Sequence, residues 1–170
     1  MIPRSSRNLG QQLATVRNVL PATRGTIRNG ELSCLLRIQP SPASRRYTIQ
    51  LQYKQGSQPH ITVVEPDLEL HPDAAGLPHV YPGDELCLYY PGQWNPGQLI
   101  ATTIVPWISE WLLHYEIWTV TGTWHGGGAG HRTVRPLAGR DHTRVACCPG
   151  APTAPSPPAP PPGSSSGGSI

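Results

Sequence analysis

Six apolar residues between positions 104 and 118 recur mainly at spacings of three and four, the period of an amphipathic α-helix. The set is Ile104, Ile108, Trp111, Leu112, Tyr115 and Trp118. Thr102 or Thr103 is the expected N-cap, which puts Pro106 in the first turn, where its missing N–H does little harm. Burying two indole rings and a phenol stabilises a fold by on the order of several kcal/mol. The rest of the chain must therefore supply an apolar surface that covers this helix.

That surface is expected from strands earlier in the chain, over Glu31–Ile38, Arg46–Lys54 and His60–Glu65. The middle segment alternates cleanly, with Tyr47, Ile49, Leu51 and Tyr53 on one face. A short fourth strand is expected through Leu68 and Leu70. Consecutive strands joined by short turns form an antiparallel meander, and helices must cover its apolar face, so the pattern predicts an α+β fold.

An N-terminal helix is indicated by Leu9, Leu13, Val16 and Leu20, which fall on one stripe. Ser5 or Ser6 is the expected N-cap, and Pro21 ends the helix.

Charge and cysteine content limit the function classes. Residues 1 to 64 contain nine Arg or Lys against one acid, Glu31, whereas residues 65 to 116 contain eight Asp or Glu and no Arg or Lys. No recognition motif accompanies the basic part, so nucleic-acid binding is not expected. No signal peptide and no apolar run long enough to span a bilayer occur, so we expect a cytoplasmic protein with reduced thiols. The four cysteines fit neither a zinc motif nor a disulfide framework.

The segment from Leu77 to Pro96, LPHVYPGDELCLYYPGQWNP, holds Cys87 between two Pro/Gly turns. A structural cysteine needs no such framing. Acidic residues, Asp84 and Glu85, precede Cys87, and no Lys or Arg is near, which favours a modestly reactive thiol that carries an acyl group. A small buried hydrophobic residue is the structural alternative for Cys87.

The same segment resembles the active-site segment of ubiquitin-conjugating enzymes. Leu86-Cys87-Leu88 matches the family's cysteine triplet, Trp94-Asn95-Pro96 matches its Trp-x-Pro, and Leu77-Pro78-His79 falls on its His-Pro-Asn. His79 stands where the family has an oxyanion-stabilising Asn. This His, together with the string Thr121 to Gly128, is most similar to the bacterial conjugating-enzyme homologues of type II CBASS antiphage defence operons.

The resemblance implies a fold with an N-terminal helix, a four-stranded antiparallel meander, an active-site segment and a crossover helix, with the C-terminal helices reduced. It implies that Cys87 carries a protein C terminus as a thioester and passes it to an amine, with His79 as oxyanion donor or base. The implied partners are the cyclic-nucleotide synthase, or a ubiquitin-like protein with a C-terminal glycine, and an adenylating activator, because this chain contains no adenylating loop. No cofactor and no metal are expected.

Three alternatives remain open. One is a binding module of the same fold without chemistry. Another is a Cys-His hydrolase that uses Cys87 with His79. The third is a metal site, whose possible ligands are His71, His79, Cys87, His125 and His131.

Several other residues are expected to be structural or incidental. Tyr81, Asp84, His125 and His131 are weaker catalytic candidates. Trp94 is expected to pack under the active-site segment, Cys34 to lie in the core, and Cys147-Cys148 to be an incidental pair. The glycine segment that ends at His131 is expected to fold back beside Cys87.

Composition divides the chain in two. Residues 1–145 are expected to form the conjugating-enzyme-like domain. Residues 146–170 contain Pro, Ser, Gly and Ala without any charge and are expected to be a flexible tail.

Overall fold

Two helices and a six-stranded sheet make up the part of the chain that the structure, a computed structural model, describes, residues 7–126. Helix α1 spans Leu9–Val19, and helix α2 spans Ile104–Thr121 after a single 3-10 turn over Ile100–Thr102. No helix within residues 7–126 is long and apolar enough to cross a membrane. The predicted domain end at residue 145, the tail and Cys147-Cys148 lie outside the described residues.

The sheet is antiparallel, with the strand order β1-β2-β3-β4-β6-β5. Its first four strands form a meander, as expected, and the last two are short. The strands are β1 (Arg24–Arg28), β2 (Glu31–Ile38), β3 (Tyr47–Lys54), β4 (His60–Glu65), β5 (Val80–Tyr81) and β6 (Glu85–Leu86). The α+β prediction is confirmed.

The prediction of a fourth meander strand through Leu68 and Leu70 was wrong. Residues 66–70 form no strand, and the missing member is β1, at the edge of the sheet. Its sequence, RGTIR, contains a single large apolar residue, Ile27, which is exposed, so no alternation marks it as a strand. Leu68 packs against the core from a loop, whereas Leu70 is exposed.

Alternate residues of β2 and β3 form one apolar face of the sheet. Leu32 pairs with Tyr53, Leu36 with Ile49, and all four side chains are fully buried. Cys34 lies on the same face at 1% exposure, as expected for a core residue. Burial raises the pKa of its thiol to about 11, an effect that the nearby Arg17 guanidinium only partly opposes.

Helix α1 covers part of this face with Leu9, Leu13 and Val16, three members of the predicted stripe. Its N-cap is Asn8, whose side chain accepts a hydrogen bond from the Gln11 N–H at 2.8 Å. The expectation of Ser5 or Ser6 as the cap was therefore wrong, because the helix begins at Leu9, two residues later than a Ser6 cap requires and three later than a Ser5 cap requires.

A buried glutamine on α1 fixes the segment that leads into α2. Gln12 donates to the Gln98 carbonyl at 2.8 Å and accepts from the Ile100 N–H at 2.9 Å. Both polar ends of a fully buried side chain are thus satisfied, which holds the start of α2 against α1.

Helix α2 buries all six residues of the predicted stripe and begins after Thr103, as expected. The Thr103 hydroxyl does not cap the helix but donates to the Leu99 carbonyl at 2.7 Å. The helix ends at Gly122, which has the left-handed φ of +70° and donates its N–H to the Trp118 carbonyl.

Candidate functional site

The segment that holds Cys87 is fixed to the sheet edge by a small hairpin. Strands β5 and β6 pair with each other, and Glu85 on β6 pairs with Thr62 on β4. The Glu85 carboxylate also lies 2.9 Å from His60 Nδ1. Gly83 and Asp84, in the predicted turn, both have positive φ, which closes the hairpin over a few residues. Cys87 follows β6 directly and is therefore held by a regular element on one side only.

Cys87 and His79 are brought together by the backbone. The Cys87 N–H donates to the His79 carbonyl at 2.9 Å, and the Trp111 indole N–H donates to the same oxygen at 3.1 Å. His79 has a φ of +51°, an uncommon conformation for a side chain with a Cβ. One carbonyl thus fixes the cysteine segment to α2, and the strained backbone at His79 is the kind of local cost that proteins keep at functional sites.

A cavity of about 210 Å³ is lined by both residues. Cys87 is 7% exposed and His79 is 8% exposed, so the thiol is not a protruding surface group. The cavity nevertheless gives it a route to a ligand. On one side lie Cys87 and the residues that follow it, Leu88 to Tyr90, and on the other lie residues of α2.

Trp124 lines the cavity, and its ring contacts His79 as well as two residues of α2. Its ring stacks on His79, with centroids 4.9 Å apart and an angle of 28°, and lies 5.6 Å from Trp111 and 5.8 Å from His114. Gly126 also lines the cavity. A Cβ at that position would lie 2.6 Å from Trp124 Nε1, so only glycine fits against the indole.

The glycine segment therefore folds back beside Cys87, as expected, in the part that the structure describes. Residues 127–131, including His131, lie outside it. Trp124 belonged to the sequence string that carried the resemblance, but its contact with His79 was not foreseen.

The α2 side of the cavity contributes two polar residues that sequence reasoning missed, Glu110 and His114. They are one helical turn apart, and His114 Nε2 lies 4.0 Å from Glu110 Oε1. His114 Nδ1 is buried without a hydrogen-bond partner among residues 7–126. The signal that points to this pair is a carboxylate and an imidazole at i and i+4 beside the apolar stripe of α2.

Aromatic rings form much of the remaining surface of the cavity. Tyr89 and Trp107 have ring centroids 5.3 Å apart, and Trp111 lies on the same side as Trp107. No Lys or Arg is among the described residues that line the cavity, and Glu110 is its one carboxylate there. The site is thus an aromatic cleft with two histidines, a thiol and a single acid.

Trp94 is buried in the core and does not line the cavity. It is 7% exposed, meets the Tyr53 ring edge to face at 6.1 Å and donates to the Ser57 carbonyl at 3.4 Å. The Asn95 carboxamide oxygen then accepts from the Gly97 N–H at 3.1 Å, which makes the turn toward α2.

Most of the other candidate residues in the described part of the chain do not line the cavity. His71 accepts from the Asp73 N–H and lies against Trp118, and neither it nor His125 lines the cavity. No group of three or more His, Cys, Asp or Glu that could hold a metal ion occurs within residues 7–126. Tyr81 and Asp84 belong to the β5–β6 hairpin and do not line the cavity either.

Comparison with known proteins places this chain in one family. A search of curated proteins finds no match. The profile of the Type II CBASS E2 protein family matches residues 12–132, well over half of the 170-residue chain. The matched range covers the meander, the β5–β6 hairpin with Cys87 after it, α2 and the glycine segment. The chain is thus a member of the Type II CBASS E2 proteins, which are conjugating-enzyme-like proteins of antiphage defence.

Proposed function

We propose that this protein carries the C terminus of another protein as a thioester on Cys87 and passes it to an amine. Membership in the type II CBASS family makes partners from the same operon the expected ones. The carried protein is the cyclic-nucleotide synthase, or a ubiquitin-like protein that ends in glycine, and an adenylating partner supplies the activated carboxyl group.

The observation that carries this proposal is the shared cavity of Cys87 and His79. Its volume of about 210 Å³ is below the roughly 300–1,000 Å³ of typical small-molecule sites. A narrow cleft beside a thiol suits the end of an extended chain better than a nucleotide or a large cofactor. Glycine at that end has no side chain to clash with the rings of the cleft.

In the loading step, the Cys87 sulfur attacks the activated carbonyl carbon. A C–S bond forms, the bond to the activating group breaks, and the thiol proton goes to solvent. In the transfer step a neutral amine nitrogen attacks the same carbon, a C–N bond forms and the C–S bond breaks. The nitrogen loses one proton, and the leaving sulfur takes one to become the thiol again. Sulfur suits both steps because it attacks readily and leaves readily.

His79 is proposed to donate a hydrogen bond to the oxyanion of the tetrahedral intermediate. The site that would hold that oxyanion is next to Cys87, and the His79 backbone is already bonded to the Cys87 N–H. A donor held in place before the reaction stabilises the developing charge without reorganisation.

Replacing Cys87 by serine tests the proposal. With the synthase and its activator, the wild-type adduct should be cleaved by reducing agent, whereas Cys87→Ser should give an oxygen ester of the same connectivity that survives it. Intact-mass spectrometry distinguishes the two. Cys34→Ala is the matched control and should keep the reducible adduct, since Cys34 lies in the core. An adduct that Cys87→Ser leaves reducible would remove Cys87 from the mechanism.

A binding module of the same fold is the second candidate, and the low exposure of Cys87 favours it. Such a module would hold its partner without forming a covalent bond. Cys87→Ala decides between the two: a binding module keeps its defence activity and its partner, whereas the transferase loses its defence activity and forms no adduct.

A further inference from the structure

A second polar pair faces the cavity that contains Cys87, and the proposed chemistry of Cys87 and His79 does not use it. His114 and Glu110 project from successive turns of α2, with 4.0 Å between Nε2 and Oε1. The Glu110 side chain is 64% exposed and the His114 side chain 21% exposed. The Glu110 carboxylate therefore lies toward solvent and the His114 imidazole lies deeper. A group that enters from solvent would meet Glu110 first and His114 second.

The imidazole of His114 has unused hydrogen-bonding capacity. Its Nδ1 is buried and finds no partner in the part of the chain that the structure describes. Buried polar atoms are normally paired, because an unpaired one destabilises the fold. Because Nδ1 is not accessible from the cavity, Nε2, the nitrogen 4.0 Å from Glu110 Oε1, is the one that can take a proton from an incoming group.

The surroundings of this pair favour a cation. The rings of Tyr89, Trp107 and Trp111 line the same cavity, and the described lining residues include no Lys or Arg that would repel a positive charge. Ammonium groups bind to the faces of aromatic rings and to carboxylates. The chemistry that fits this side of the cleft is a primary ammonium group on an alkyl chain, as in a lysine side chain.

We propose that Glu110, His114 and the surrounding rings form the subsite for the accepting amine, and that His114 removes its proton. This inference rests on the proposed function of Cys87. Glu110 and the rings hold the ammonium group, and one proton passes from nitrogen to His114. The freed nitrogen lone pair attacks the thioester carbon, a C–N bond forms and the C–S bond breaks. The Cys87 thiolate takes the proton held by His114, and the second proton that the nitrogen loses on becoming an amide goes to solvent.

This assignment divides the work between the two histidines. His79 is almost fully buried, its ring stacks on Trp124, and its carbonyl is held by Cys87 and Trp111. That position suits a fixed donor to an oxyanion. His114 is more open and has a carboxylate beside it, and histidine exchanges protons near neutral pH, so it suits a base for an amine that arrives from solvent.

The test separates loading from transfer. A glycine-terminated peptide thioester is exchanged onto Cys87, which requires no activating protein, and the loaded protein is then mixed with free lysine or with hydroxylamine. Lysine arrives as a cation and must lose a proton, whereas hydroxylamine is largely neutral at neutral pH. His114→Gln should slow discharge to lysine by about 10²- to 10⁴-fold and leave discharge to hydroxylamine unchanged.

Two further variants sharpen the result. Glu110→Gln, a change at an exposed side chain, should raise the lysine concentration that gives half the maximal rate and leave hydroxylamine discharge unchanged. His125→Gln is the matched control, because His125 is exposed and does not line the cavity, and it should change neither rate.

The outcomes distinguish the two proposals. If the peptide loads Cys87 and His114→Gln discharges to lysine at the wild-type rate, the amine subsite is refuted and the proposed function stands. Equal slowing with lysine and hydroxylamine also refutes it, since a distorted cavity explains that result. If no thioester forms on Cys87, both proposals are overturned.

Discussion

His79 is the residue at which this chain departs from the conjugating-enzyme pattern, and its surroundings give the departure a physical meaning. An imidazole can donate to an oxyanion as a carboxamide does, provided that the nitrogen facing it carries a proton. It is wider than a carboxamide, and here its ring face is covered by the Trp124 indole. The stacked rings of His79 and Trp124 therefore hold the described start of the glycine segment beside the residue that departs from the pattern.

His79→Ala should slow transfer from Cys87 more than it slows loading. Losing one oxyanion donor costs about a hundred- to thousandfold in rate. Both steps form a tetrahedral oxyanion, but transfer starts from a thioester, which is less activated than the acyl adenylate used in loading, so transfer depends more on the donor. Single-turnover loading and discharge, followed by non-reducing gel electrophoresis, measure the two steps. His125→Ala is the control at an exposed histidine. Equal slowing of both steps by His79→Ala would refute the oxyanion role.

At the scale of elements, the site is assembled from three pieces that are distant in sequence. The β5–β6 hairpin supplies Cys87 and His79, α2 supplies Glu110 and His114, and the segment after α2 supplies Trp124. The Trp111 indole N–H, bonded to the His79 carbonyl, joins the first two pieces. Trp124 joins the third to both, so a change at the contact of Trp124 with its own segment should reach the thiol.

Gly126→Ala tests that link. The added methyl group would lie 2.6 Å from Trp124 Nε1 and 3.0 Å from His114 Cδ2, so the indole must shift. We expect a loss of about 1–3 kcal/mol in the free energy of unfolding, as for other overpacked sites, together with slower transfer from Cys87. Urea denaturation and tryptophan fluorescence measure the first effect and discharge assays the second.

Gly76→Ala is the matched control for this substitution. A Cβ at Gly76 meets no heavy atom within 4 Å, so stability and transfer should both stay at wild-type values. Wild-type transfer in Gly126→Ala would show that the contact between the indole and the glycine segment does not support the site.

At the scale of the whole molecule, acidic and basic residues are unevenly distributed along the chain. Residues 65 to 116, which contain eight acids and no Lys or Arg, include every residue that lines the cavity in the described part of the chain except Trp124 and Gly126. Glu110 is the one acid among these lining residues. Arg45, from the basic part, pairs with Glu69 at 3.1 Å, but both side chains are well exposed, so this contact adds little to stability.

Removing residues 146–170 should leave the melting temperature unchanged. Because this segment has no charge and few large apolar residues, we expect it to add nothing to the stability of the rest of the chain. Differential scanning calorimetry of residues 1–145 against the full chain measures this. A fall of more than about 3 °C, near 1 kcal/mol for a protein of this size, would show that the tail is docked.

The sequence by itself determined those features that depend on neighbouring residues. The stripe of α2, the alternation of β3 and the turns around Cys87 are local patterns, and each was confirmed within residues 7–126 because the period of a segment reports which of its faces is buried. The same reasoning missed β1, because an exposed edge strand needs no apolar face and its sequence therefore shows no alternation of apolar and polar residues.

Only the tertiary structure decided what meets at the cavity. Cys87 and His79 could be paired from a resemblance in one short segment, but the approach of His114 and Trp124 depends on how α2 crosses the sheet and where the chain turns after it. The apolar period of a helix or strand shows that one of its faces is buried, but it does not show which other residues cover that face. The low exposure of the thiol and the pair on α2 therefore became visible only when the elements were packed together.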